Sequence, residues 1–169
     1  MEETQIAHLA GAFDVAGVLN VYISKEEDYK VGYRMNPLCR MTFPVEREDP
    51  LLGKMISYCE EQNVQYNLSE TFNDHEEKSK SQRIEIKKPH SIEAFLLPLL
   101  DHLVTHYEAA IIMLEQIVPR IKDDLHKEKE GFYEIMQFAD VLREKSNHTS
   151  RTKYTAEYFL EEWSIPGQH

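Results

Sequence analysis

Three sets of residues in this chain are of a type and spacing that could do chemistry. Asp14 offers carboxylate oxygens of the kind a hard cation such as Mg²⁺ requires, whereas Ala16, two residues on, offers a methyl group that cannot ligate one. His102 and His106 stand four apart beside Asp101, a spacing that can bind zinc on a helix. That pattern lacks the Glu that follows the first His in zinc proteases, and no third ligand is evident, so ordinary surface or half-buried histidines are expected. The third set is polar: Asn20, Tyr22, Arg34, Asn36, Arg40, Thr42, Gln65, Asn67, Arg83 and Lys87 recur at alternate positions of extended runs. Such groups read base edges and phosphates. Nothing resembles a nucleophile elbow, and Gly32 and Gly53 are isolated, with no phosphate-cradling pattern.

The elements that must position these residues follow from periodicity. Residues 4–15 read as a helix, with Thr4 as cap, Ile6, Leu9, Ala10 and Phe13 at helical spacing, and Gly17 as the stop. Residues 18–24 alternate as a strand, with Leu19, Val21 and Ile23 inward. Residues 33–43 form a second strand in which Pro37 marks an edge or a bulge. Asp49 and Pro50 open a helix that ends near Gln62 and Asn63. Residues 64–72 and 81–87 read as a second hairpin around a polar loop, with Ile84 and Ile86 inward. Helices follow over 91–103, capped by Ser91 and kinked at Pro98, then over 107–121, 130–145 and 155–163, the last capped by Thr155. Tyr154, Tyr158, Phe159 and Trp163 are expected to dock that terminal helix. The fold class is α+β: α-β-β-α-β-β-α with a four-stranded antiparallel sheet, plus C-terminal helices. The expected organisation is residues 1–105 as one domain, with 106–169 as a helical extension packed on it.

The run Leu9-Ala10-Gly11-Ala12-Phe13-Asp14-Val15-Ala16-Gly17, followed by two hairpins, resembles the signature helix and element order of the LAGLIDADG homing endonucleases, single-motif type. The resemblance covers roughly residues 4 to 105 and is sharpest in residues 9–17. It implies a saddle-shaped sheet over double-stranded DNA and a homodimer, since one motif per chain must pair with a second copy. It also implies that the motif's second acid, which holds the catalytic metal, is replaced here by Ala16. Asp14, the kept first acid, would point about 200° away from position 16 and is a poor substitute. Mg²⁺ is the expected cofactor if the protein is active, and none is expected if it is not. Ala7, Ala10, Gly11 and Asp14 are the candidate dimer contacts. Ala10 and Gly11 could equally pack against the subunit's own core.

The net charge of −11 and pI near 5.2 by themselves count against nucleic acid. Acids outnumber bases after residue 91, so a basic sheet face backed by acidic helices reconciles the two. The expected DNA-binding set is Asn20, Tyr22, Lys25, Arg34, Asn36, Arg40, Thr42, Arg83 and Lys87, flanked by Lys30, Lys78, Lys80 and Lys88 and diluted by Glu70 and Glu85. Site-specific binding of double-stranded DNA with lost or weak cleavage is the expected function. The alternatives are an active metal-dependent endonuclease that uses another acid, and a protein-interaction module on the same fold. No run is long enough to span a membrane, and the acidic N-terminus lacks a signal-peptide layout, which predicts an intracellular protein. Cys39 and Cys59 have no metal spacing and are expected to be free and packed.

Overall fold

The first helix, α1, runs Glu3–Ala16 in the computed structural model, which describes residues 1–44, 50–72, 80–146 and 152–164. The expected cap Asp49, Lys78 and most of the polar loop after β3 fall outside these residues. Helix α1 starts one residue earlier than expected, because the Gln5 side chain accepts from the Glu2 N–H at 3.1 Å and makes Glu2 the cap instead of Thr4. It ends at Gly17 by close approach, not by a left-handed turn: Gly17 has φ −78°, and a Cβ there would lie 2.5 Å from the Phe13 ring. The chain therefore runs straight from α1 into the sheet.

Strands β1 (Gly17–Lys25), β2 (Tyr33–Pro44), β3 (Asn67–Phe72) and β4 (Lys80–Ile86) form one antiparallel sheet in the order β1-β2-β4-β3. Pro37 sits inside β2 at little cost: it pairs with Val21 of β1, and the β2–β4 register begins only at Cys39. Residues 64–66, expected as strand, are not. The Gln65 N–H donates to the buried Ser91 Oγ at 3.0 Å. That bond also removes Ser91 as a helix cap; α3 (Pro89–Leu96) starts at Pro89, whose missing N–H costs nothing at a first helical position.

Helix α2 (Pro50–Glu61) connects the hairpins. After α3 a 3-10 turn over Leu97–His102 begins where Pro98 interrupts the α-helical bonding. The next helix is continuous through α4 (Tyr107–Ile112), a π turn (Met113–Ile117) and α5 (Val118–Lys122). The wide turn accommodates Pro119, whose ring would otherwise clash with the carbonyl of Glu115. Helices α6 (Lys129–Lys145) and α7 (Ala156–Trp163) complete the chain, and the Thr155 side chain caps α7 by accepting from the Tyr158 N–H at 3.2 Å.

The helices cover one face of the sheet. One buried cluster runs from Leu9 to Phe159, crossing the expected boundary at residue 105, and joins Leu19, Val21, Met41 and Ile84 to Phe13, Tyr58, Phe95 and Phe132. Tyr33 anchors the C-terminal end: its ring contacts Tyr154, Tyr158, Phe159 and Trp163, and its hydroxyl lies 2.9 Å from that of Tyr158. Both cysteines are free and buried, with thiol pKa values raised by burial, Cys59 to about 12. Among the described residues, no helix is long and apolar enough to cross a membrane.

Candidate nucleic-acid interface

Strand register maps the uncovered sheet face. One row places Val18, Arg40, Glu85 and Asn67 side by side. The next carries Thr42, Arg83 and Ser69. Toward the β1–β2 turn come Asn20 beside Leu38, Tyr22 beside Asn36 and Ser24 beside Arg34. The structure thus brings Asn20, Tyr22, Arg34, Asn36, Arg40, Thr42 and Arg83 onto one face, and Lys87 follows β4 in the same parity. Val18 and Leu38 are the apolar members of this face; Leu38 is 6% exposed and outside the main core cluster.

Two expected members lie elsewhere. Lys25 pairs with the buried Tyr33, so its position has the helix-side parity, and it is exposed only because β1 ends there. Glu70 pairs with Gln82, opposite in parity to Arg83, so it does not dilute the outward face. Lys30, expected to flank the face, is ion-paired with Glu128.

Arg40, Arg83 and Lys87 surround Glu85. The Lys87 ammonium lies 2.8 Å and the Arg83 guanidinium 3.9 Å from its carboxylate. One carboxylate faces three cations here, so the cluster keeps a positive excess. The Nε atoms of both Arg40 and Arg83 are buried without a hydrogen-bond partner. Burial, and then the neighbouring Arg83 charge, lower the pKa of Arg40, with Glu85 opposing. Buried donors lacking an acceptor are costly, and a ligand carrying acceptors would satisfy them.

The β1 edge of the sheet is covered from α6 around Val21. The Asn20 Oδ1 accepts from the Val21 N–H at 2.8 Å and from the Arg143 Nε at 3.1 Å. Arg143 also donates to the carbonyls of Val21 and Tyr154 and to Asp140 Oδ1. Sequence reasoning missed this residue, because its strand partners, Asn20 and Val21, lie more than a hundred residues away.

At the other end of β1, both carboxylate oxygens of Asp14 are hydrogen-bonded. Its Oδ2 accepts from the Val104 N–H at 2.7 Å and its Oδ1 from the His106 N–H at 2.8 Å. The His106 ring is buried against Phe13, with Nδ1 3.5 Å from the same carboxylate and neither ring nitrogen hydrogen-bonded. His102 ends the 3-10 turn while His106 precedes α4, so the two do not share the helix that zinc spacing would need. Among the described residues, no group of three metal-ligating side chains comes together.

No family model and no curated protein matches the sequence. Solved structures do. The homing endonuclease I-CvuI, in complex with the I-CreI target, aligns over 96% of both chains at 19% identity with a TM-score of 0.75. The archaeal intron-encoded homing endonuclease I-Vdi141I, complexed with DNA, aligns over 97% of this chain and 99% of its own at 14% identity and TM-score 0.73. The group I intron-encoded I-CeuI, also complexed with DNA, aligns over 94% and 75% at 15% identity and TM-score 0.73. The fold is that of the LAGLIDADG homing endonucleases.

On this LAGLIDADG fold, the four candidate dimer residues separate. Leu9 and Phe13 set the inward side of α1, and Ala10 is fully buried with them in the subunit's own core. Asp14 is turned to the 103–106 segment. Gly11 is exposed, with open space where a Cβ would stand, and Ala7 is half-buried on the flank. The exposed stripe is Thr4, His8, Gly11 and Val15, spaced four, three and four apart. Val15 is 89% exposed, and Val104, beside Asp14, is 84% exposed. Val15 could have been found from the sequence by taking the side opposite Leu9 and Phe13 instead of following the small residues.

Proposed function

We propose that this chain binds double-stranded DNA at a defined site through the uncovered face of its sheet, as a homodimer joined along α1, with nuclease activity lost or weak. The observation that carries the reading is the Arg40–Arg83–Lys87 cluster around Glu85, with two buried guanidinium Nε donors left without acceptors on a face that also carries Asn20, Tyr22, Arg34, Asn36 and Thr42. Base edges and phosphates supply acceptors to such a face. The similar homing endonucleases solved with DNA support the same use of the fold. The exposed α1 stripe, ending in Val15, supports pairing with a second copy.

The residues at the end of α1 do not fit a Mg²⁺ site. The position where the family resemblance implies the metal-holding acid carries Ala16, and both oxygens of Asp14 already accept main-chain N–H groups.

The test is selection from a randomised duplex pool with Mg²⁺ present, sequencing retained and cut molecules. A retained, two-fold symmetric, uncut site is the expected result. Cut ends at a defined site would establish an active endonuclease that uses another acid. No enrichment would leave a protein-interaction module on the same fold.

A further inference from the structure

We propose that Asn20 reads DNA as a hydrogen-bond donor only, through its side-chain NH₂, and so selects guanine over adenine at one position of the half-site. The inference rests on the uncovered sheet face being the DNA-binding face.

Pro37 has no N–H, so its pair with Val21 cannot exchange the two main-chain bonds of a hydrogen-bonded antiparallel pair. The N–H and C=O of Val21 therefore turn to the open edge of β1. Both are satisfied there, the N–H by Asn20 Oδ1 at 2.8 Å and the C=O by Arg143 Nη2 at 3.1 Å. Arg143 uses Nε for the same Asn20 oxygen at 3.1 Å, and Asp140 and the Tyr154 carbonyl hold the guanidinium in place.

The orientation of the Asn20 amide is thereby fixed. A main-chain N–H and an arginine Nε can only donate, so the atom they share must be the oxygen. Both of its lone pairs are occupied. A free asparagine reads adenine by offering an acceptor to N6 and a donor to N7. Asn20 has no acceptor left to offer. Its NH₂ retains two donors, and guanine presents two adjacent acceptors, O6 and N7, in the major groove. Asn20 shares its face and strand with Tyr22, which is 57% exposed, so the amide stands where a bound duplex would be met.

The experiment is selection from a randomised duplex pool with the full-length protein and its Asn20→Asp and Asn20→Ser variants, each first shown by thermal unfolding to be folded. The unaltered protein should prefer guanine at one position by about ten-fold, the worth of a good base contact. Asn20→Asp keeps an acceptor for Val21 and Arg143 and presents its other oxygen outward, so the preference at that position should move to cytosine, whose N4 donates. Asn20→Ser is too short to reach a base, so it should flatten that position alone. Adenine at the position in the unaltered protein would overturn the proposal. So would unchanged profiles in both variants, or a uniform loss of affinity, which marks a phosphate contact. If the unaltered protein selects no sequence, the DNA-binding reading itself fails, and that result is distinct from selection with an indifferent Asn20.

Discussion

Arg143 donates to the main-chain carbonyl of Val21 at 3.1 Å, and through that bond the last long helix covers the β1 edge of the sheet at Val21. An unpaired edge strand is a template for pairing with other chains, and an arginine laid across β1 at Val21 obstructs that pairing there. The guanidinium is mostly buried, which lowers its pKa, while the Asp140 ion pair at 2.9 Å opposes the shift. Asp140 in turn accepts from the Ala156 N–H at 2.7 Å, so one network ties β1, α6 and α7.

Arg143→Met should cost about 2–4 kcal/mol, because it leaves Val21 O, Tyr154 O and the Asp140 carboxylate short of donors. Urea unfolding followed by circular dichroism measures this. A loss below about 0.5 kcal/mol would show that water replaces the guanidinium freely.

Asp14→Ala should destabilise by about 1–3 kcal/mol, since it strips the acceptor from two main-chain N–H groups at the entry to α4. Because the carboxylate is structural, Mg²⁺ should leave the melting temperature of the unaltered protein and of the variant unchanged. A rise with Mg²⁺ in the unaltered protein alone would assign Asp14 to a metal.

Val15→Lys should split the proposed homodimer with little effect on the stability of the subunit, because Val15 is 89% exposed in the single chain. Sedimentation velocity over a concentration series reads the outcome. An unaltered dimer would move the interface off α1.

Arg40→Ala and Arg83→Ala should weaken binding to the selected duplex, each by about 1–3 kcal/mol if it contacts a base. If the contact is to phosphate, the loss should be uniform across sequences and the salt slope should drop by about one. Equal affinity for the protein lacking both, and Arg34 as well, would remove DNA from this face.

Alkaline stability should follow the buried thiols. Cys59 has its pKa raised from 9.0 to about 12 by burial, so the folded state keeps a proton that the unfolded chain releases. The stabilisation is fully present below pH 9 and is lost as pH climbs toward about 12. Urea midpoints from pH 8 to 11 should fall, and Cys59→Ala should shallow that fall.

The sequence by itself determined the elements and their inward faces. Alternation placed Leu19, Val21, Ile23, Ile84 and Ile86 in the core, and Thr155 marked the start of α7. These are local signals, since a strand's period or a cap depends on residues within a few positions. The same locality hid what pairing decided. Strand register moved Glu70 to the far face and left Glu85 facing three cations. The acceptors of Asp14 found donors 90 and 92 residues away, and Asn20 met an arginine 123 residues on. The small-residue pattern of α1 pointed to Ala7, Gly11 and Ala10; the core closed over Ala10, Gly11 stayed exposed, and Val15, outside that pattern, is exposed beside it. Which groups remain free to bind was settled only when distant segments packed, because a hydrogen-bonding group is available only if no other part of the chain has taken it.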